Sequence, residues 1–255
     1  MAVSANTLFH FTSNANLKNI LASKGFFVQY SDEHFENIIP DGKKYSFAFI
    51  PMISFCDLTI MQLSKDSKHT ENFGKYGIGL TKEWGIKNRV SPVIYAHEES
   101  QPLSQLYNLN QLLNFHVKTG KEKKKFSDIR KVMVDFFKYI KPYKGRWHKG
   151  DPIDDKKADI IYYNEREWRY CPLVNEYKVL LGASARNKKL KEIFNEQLKL
   201  QHITFTPDDI KFIVIKNKEE VNSFVKEIKK MKLAPEQENK LITKIISFQQ
   251  ISEDY

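Results

Sequence analysis

The chain's 255 residues are 41% hydrophobic and include 18 Phe, 12 Tyr and 3 Trp, enough to bury the core of one large domain or two small ones. No window approaches the roughly 18 consecutive apolar residues of a membrane span, the first residues lack the basic-then-apolar pattern of a secretory leader, and Cys56 with Cys171 does not make a secreted disulfide scaffold, so reduced thiols in the cytoplasm are expected. The net charge of +10 is uneven: residues 118–149 hold twelve Lys or Arg against three acids, which suits a polyanion and equally describes a solvated helix face with a lysine-rich loop.

Thr7 to Thr12 alternates as a strand. Ser13 and Asn14 are N-cap types, Leu17, Ile20 and Leu21 fall at helical spacing, and Gly25 sits where a helix ends. Residues 26–50 are mixed, with a turn at Pro40-Asp41-Gly42. Met52 to Cys56 reads as a buried strand and a brief helix follows to about Ser64. Tyr76 to Leu80 is a strand whose glycines allow close backbone approach, and Pro92 to Ala96 is another. Leu103 to Val117 is helical. A second helix carries Ile129, Val132, Met133, Phe136, Phe137 and Ile140, a spacing that predicts a buried stripe with a basic opposite face. Lys141 to Ala158 is a charged loop leading to a strand at Ile160 to Tyr163 and then to Glu165-Arg166-Glu167-Trp168-Arg169. Lys178 to Leu181 is a further strand, Lys188 to Leu200 a helix, and Phe212 to Ile215 a strand. Val221, Phe224, Val225 and Ile228 line one side of a helix, and more helix follows Pro235. Strands interrupted by irregular helices predict an α+β fold with a mixed or antiparallel sheet, not a doubly wound one.

Two separated segments carry the chemistry. His10 and Thr12 share one strand face, and an imidazole beside a hydroxyl can grip a ribose diol. Glu165, Glu167 and Arg169 share a face of the second segment, if that segment is a strand, within apolar surroundings. A surface ion network is one reading of them, and it would contribute little. The other is a carboxylate facing an oxocarbenium-like centre, as cleavage of a nicotinamide glycosidic bond requires. Phe55, Tyr76 and Trp84 could stack on a pyridinium or adenine ring, although each taken singly suits a core better. No zinc-ligand spacing, Walker loop or dinucleotide-binding glycine pattern occurs, so no metal is expected.

His10-Phe11-Thr12 with Asn16-Leu17, Ile20-Leu21 and Gly25 resembles the opening of DarT-like ADP-ribosyltransferases. More of the chain resembles the AbiGi family of abortive phage-infection proteins. The matching stretches are Met52 to Asp57, Gly74 to Trp84, Glu165 to Arg169, and Thr206 to Ile210 leading into Phe212 to Ile215. The resemblance implies a split mixed β-sheet of ADP-ribosyltransferase type with inserted helices. It would form a core at 1–183 with a basic helical insert at about 100–150, and a C-terminal α/β extension at 184–255. It implies NAD as cofactor, His10 and Thr12 on a ribose, Glu167 as the catalytic carboxylate with Glu165 as helper, and Phe55 or Tyr76 on the ring, with Arg169 also on the cofactor. The expected activity is NAD-dependent ADP-ribosyl transfer in bacterial phage defence. A nucleic-acid acceptor would be recruited through Lys121, Lys123, Lys124, Lys125, Arg130 and Lys131. The alternative it implies is a non-enzymatic antitoxin that binds a cognate toxin.

Overall fold

The structure, a computed structural model, describes residues 5–35, 47–65, 74–97, 100–119, 123–145, 160–173, 179–181, 187–199 and 201–254. The elements run β1 (Thr7–Thr12), α1 (Asn14–Ser23), β2 (Gly25–Phe27), β3 (Gln29–His34), β4 (Phe47–Cys56), α2 (Ile60–Lys65), β5 (Tyr76–Thr81), α3 (Lys82–Lys87), β6 (Ser91–Pro92) and β7 (Ile94–Ala96). A helical pair follows, α4 (Gln101–Thr119) and α5 (Lys123–Phe137), then β8 (Ile140–Pro142), β9 (Lys144–Gly145), β10 (Ile160–Ile161) and β11 (Glu167–Tyr170). The rest is β12 (Leu180–Leu181), α6 (Lys188–Leu198), β13 (His202–Thr204), β14 (Ile210–Ile215), α7 (Val221–Lys230), α8 (Pro235–Ile242), β15 (Ile245–Ser247) and α9 (Phe248–Asp254).

The main sheet runs β15-β14-β5-β1-β4-β11-β6, with β3 and β12 also on β4. Its pairings are antiparallel except β14 with β15, so the fold is α+β with a mixed, mainly antiparallel sheet. The strand β4 is the hub. Its first half bonds β3 and β12, and its last residues bond β11 and, through Cys56, Phe9 of β1. Leu8, Leu17, Ile78, Leu80, Ile213, Phe224 and Ile228 pack as one core, and both free cysteines are buried.

Local chemistry explains the opening. Ser13 accepts from the Asn16 N–H and starts α1, and Lys24 in the left-handed region (φ 51°) stops it one residue before Gly25. In β5 the glycines admit aromatic rings from the neighbouring strand: a Cβ at Gly79 would stand 2.8 Å from the Phe9 ring, and one at Gly77 2.9 Å from Phe11. The C-terminal residues enter the same sheet, β14 against β5, while β13 pairs with β2.

Several expectations need correction. The strand expected at Pro92 to Ala96 breaks at Val93, whose N–H bonds the carbonyl of Glu167. Ile160 to Tyr163 is a two-residue strand followed by a 3-10 turn, Tyr162–Glu165, closed by Arg166 at φ 45°. The start of the expected loop at Lys141 is instead β8 and β9, while 146–158 lies outside the described residues, as do the turn at Pro40 to Gly42 and Lys178. The strand β15 went unanticipated because three residues between two helices carry almost no periodic signal. The largest correction is the stripe on α5. Val132 is 70% exposed, Phe136 49% and Ile129 40%, whereas Phe137 packs on Phe35 and Ile140 is buried in β8, beyond the helix. The stripe is thus two neighbouring stripes, one turned inward and one outward.

Candidate functional site

β11 places its functional side chains by strand periodicity. Glu167 and Arg169, two apart, lie on one face, and both are buried. Arg169 donates from Nε to Oε1 of Glu167 at 2.6 Å and from Nη2 to Oε2 at 3.1 Å. The same Nη2 lies 2.8 Å from Oε1 of Glu33 on β3, and Nη1 donates to the Lys138 carbonyl at 2.9 Å. Lys141 on β8 bridges the two glutamates, 2.7 Å from Oε2 of Glu167 and 2.6 Å from Oε2 of Glu165. Its ammonium stands over the Tyr162 ring at 5.0 Å. The backbone N–H of Glu167 donates to the Tyr95 hydroxyl at 2.8 Å.

The two carboxylates are pushed in opposite directions. Burial alone would raise the pKa of Glu167, but Arg169 and Lys141 outweigh it and hold the carboxyl well below the usual range. Glu165 has Lys141 without the guanidinium, so burial wins and its pKa is raised. Glu167 and Glu165 in turn drive the Lys141 ammonium above its ordinary value despite burial. Burial pushes both thiols up, Cys171 to about 12, so neither is a thiolate near neutral pH.

His10 sits near the exit of β1. Its Nδ1 is 2.8 Å from the Ser54 carbonyl, which makes Nδ1 the protonated nitrogen and leaves Nε2 an acceptor. Burial lowers its pKa and favours the neutral ring. The ring meets Phe26 edge-on at 5.2 Å and Phe55 at 5.8 Å.

A cleft of about 520 Å³ unites much of the predicted set, since His10, Thr12, Phe55, Glu165 and Glu167 all line it. Tyr76 and Arg169 are not among its lining residues. Tyr76 lies on the other side of β1, where its hydroxyl donates to Glu220 at 2.8 Å and its ring stacks on Phe224. Arg169 stands behind Glu167, wholly enclosed. Trp84 is core, edge-on to Phe55, with Nε1 donating to the Thr204 carbonyl. Sequence reasoning missed Lys141, Glu33 and Tyr95. Lys141 lay inside a run of cations, and nothing in that run singles it out as internal.

The expected basic interface divides. Lys121 lies outside the described residues, and Lys123, Lys124 and Lys125 open α5. Arg130 is half-buried, and Lys131 is exposed with Asp128 3.1 Å away. Lys138 and Lys141, counted in the same run, are internal, Lys138 bonding Asp135 and the Pro172 carbonyl. Among the described residues no three His, Cys, Asp or Glu side chains are placed to hold a metal, and no helix is long and apolar enough to cross a membrane.

Fold and cleft define an α+β protein with a ligand-sized, charge-lined pocket set against the middle of its sheet. The profile of one protein family, "Putative abortive phage resistance protein AbiGi, antitoxin", matches residues 24–216, and the chain belongs to that family. It is also 29% identical over 228 residues to the abortive phage resistance protein AbiGi of Lactococcus lactis subsp. cremoris, covering 81% of this chain and 89% of that protein. No solved structure matches.

Proposed function

We propose that this protein acts in phage defence as the neutralising half of a toxin–antitoxin pair and works by binding its partner. The observation that carries this reading is the state of Glu167. Both of its oxygens are engaged by Arg169 and Lys141 in a buried cluster, so the acid that a glycosyl-transfer step would use is committed to holding the fold. The family description, an abortive phage resistance antitoxin, points the same way. The test is made in cells. The product of the adjacent gene should be toxic when expressed alone and harmless beside the native chain. Glu167→Gln should still protect, provided circular dichroism shows it folded. A harmless neighbour, or toxicity that the native chain does not relieve, rejects the reading.

One observation favours an enzymatic alternative: His10, Glu165 and Glu167 line a single cleft of ligand size. The described lining fits part of NAD. Phe55 offers an aromatic wall, the His10 Nε2 an acceptor for a ribose hydroxyl, and the acids suit a cationic ring. It does not fit the pyrophosphate. Among the described lining residues Lys141 is the one Lys or Arg, bridging two glutamates, against Asp32, Glu33, Glu165 and Glu167, so no catalytic step is derived through NAD. Incubation with labelled NAD decides. Label transferred to nucleic acid or protein by the native chain and not by Glu167→Gln would establish ADP-ribosyl transfer. Nicotinamide release without labelling would indicate hydrolysis. Binding to oligonucleotides that weakens with salt would place the nucleic acid on the basic segment.

A further inference from the structure

The α4–α5 pair presents an apolar surface that the cleft does not use. On α4, Leu113 is buried, while Leu109, Leu112 and Phe115 form an i+3 ridge 43%, 58% and 62% exposed. On α5, Ile129, Val132 and Phe136 occupy one outward face. Helices of this length normally turn polar residues to water, and clustered exposed apolar side chains mark an interaction site.

We infer that this helical pair is the docking surface for the partner, and that the partner is a protein presenting an apolar contact ringed by acidic side chains. The inference rests on the partner-binding reading and adds where the partner sits and what it looks like. Charge selects the occupant. With the internal Lys138 and Lys141 set aside, the segment 118–149 holds ten cations to three acids in sequence, and Lys123 to Lys125 open α5. A second copy would bring two such segments together, which is unfavourable, whereas an acidic rim complements one. Of the six exposed apolar side chains only Phe115 and Phe136 carry a ring on which a base could stack, whereas Leu109, Leu112, Ile129 and Val132 are aliphatic, a mixture that suits an apolar protein contact better than a stacking platform. An apolar centre with a charged rim is the ordinary anatomy of a protein interface.

The probe is the purified product of the adjacent gene, its affinity for the full-length chain measured by calorimetry. The paired substitution Val132→Ser/Phe136→Ser should weaken binding by at least about tenfold, the loss expected of centrally placed contact residues. Its thermal midpoint should stay at the native value. Ile86→Ser, equally exposed but on α3, should leave affinity unchanged. Association should slow as ionic strength rises. Native binding that the paired variant does not weaken would overturn the docking surface and leave the partner-binding reading standing. Absence of native binding would overturn both. Self-association abolished by the paired variant would assign the surface to a second copy instead. Oligonucleotide binding lost in that variant would assign it to nucleic acid.

Discussion

In the wall of the cleft Glu33, Glu167 and Lys141, with Arg169 behind them, are largely withdrawn from water, while on the α4–α5 pair Leu112, Phe115 and Val132 stand in it. Both arrangements run against solvation, but they resolve differently. The buried charges answer one another: each cation touches two acids, and the Arg169 fork is filled by Glu167, Glu33 and the Lys138 carbonyl. That cluster is internally satisfied and joins β3, β8 and β11, three elements with separate places in the sequence. The exposed side chains keep much of their apolar surface in water, even where Phe115 meets the His116 ring edge-on. A polar cluster that closes on itself reads as architecture, and an apolar face left open reads as recognition.

The comparison breaks most readily at Arg169. Replacing it with Met leaves Glu33 and Glu167 buried without their guanidinium, and loss of one partner from a buried pair costs about 3–5 kcal/mol. Denaturant unfolding should show a midpoint shift of that size with an unchanged slope. Removing the charges together, in Glu33→Gln/Glu167→Gln/Arg169→Met, should recover much of the loss. If Arg169→Met alone costs under about 1 kcal/mol, the cluster is not what joins these strands.

Lys141→Met should cost less, about 2 kcal/mol, because Arg169 still holds Glu167 and Glu165 can take up a proton. The pH dependence follows from the two carboxylates. Glu167 titrates lower in the fold than in the unfolded chain, so its stabilisation is complete above the ordinary carboxylate range, about 4.3, and fades as pH falls below it. Glu165 titrates higher in the fold, so it favours folding only while protonated and weighs against the fold once pH rises past the same range. Glu165→Gln should therefore stabilise slightly at pH 7, by less than about 1 kcal/mol, with the gain disappearing toward pH 4. Thermal melts across that interval would show it. A gain that persists in acid would mean that packing, not charge, set the difference.

Much of the fold was legible in the sequence for a physical reason. Val221 to Ile228 has the core on one side, so burial imposes a period that its residues display, while Thr7 to Thr12 and Tyr76 to Leu80 bury consecutive residues and show as short apolar runs. The cleft's residues His10, Phe55 and Glu167 stood out as polar or aromatic groups in apolar strands, and Glu165 as an acid in the apolar turn before one of them. Lys141 did not, since a lysine's charge looks the same in sequence whether its ammonium meets water or two glutamates. The outward face of α5 was misread for the converse reason. Helical periodicity reports that apolar residues share a side and is silent on what covers them. Tyr76 shows the limit of proximity in sequence: it belongs to a cleft-adjacent strand, yet its hydroxyl answers to Glu220 on the far side.

The smallest expected effect is the sharpest control on the contrast, and it uses two consecutive residues of α4. Leu113 is 4% exposed and Leu112 58%. The same truncation therefore samples both environments within one turn of one helix, with identical chemistry and nearly identical helix propensity. Leu113→Ala should cost about 2–5 kcal/mol, the transfer and cavity penalty of a core leucine. Leu112→Ala removes the same atoms from water rather than from a core and should move stability by no more than about 0.5 kcal/mol. Paired urea titrations at one protein concentration measure both. A large loss at Leu112 would mean that its side chain is covered in solution, either by the chain itself or by a second copy. Repeating the titration at tenfold dilution separates these, because only self-association makes the midpoint depend on concentration.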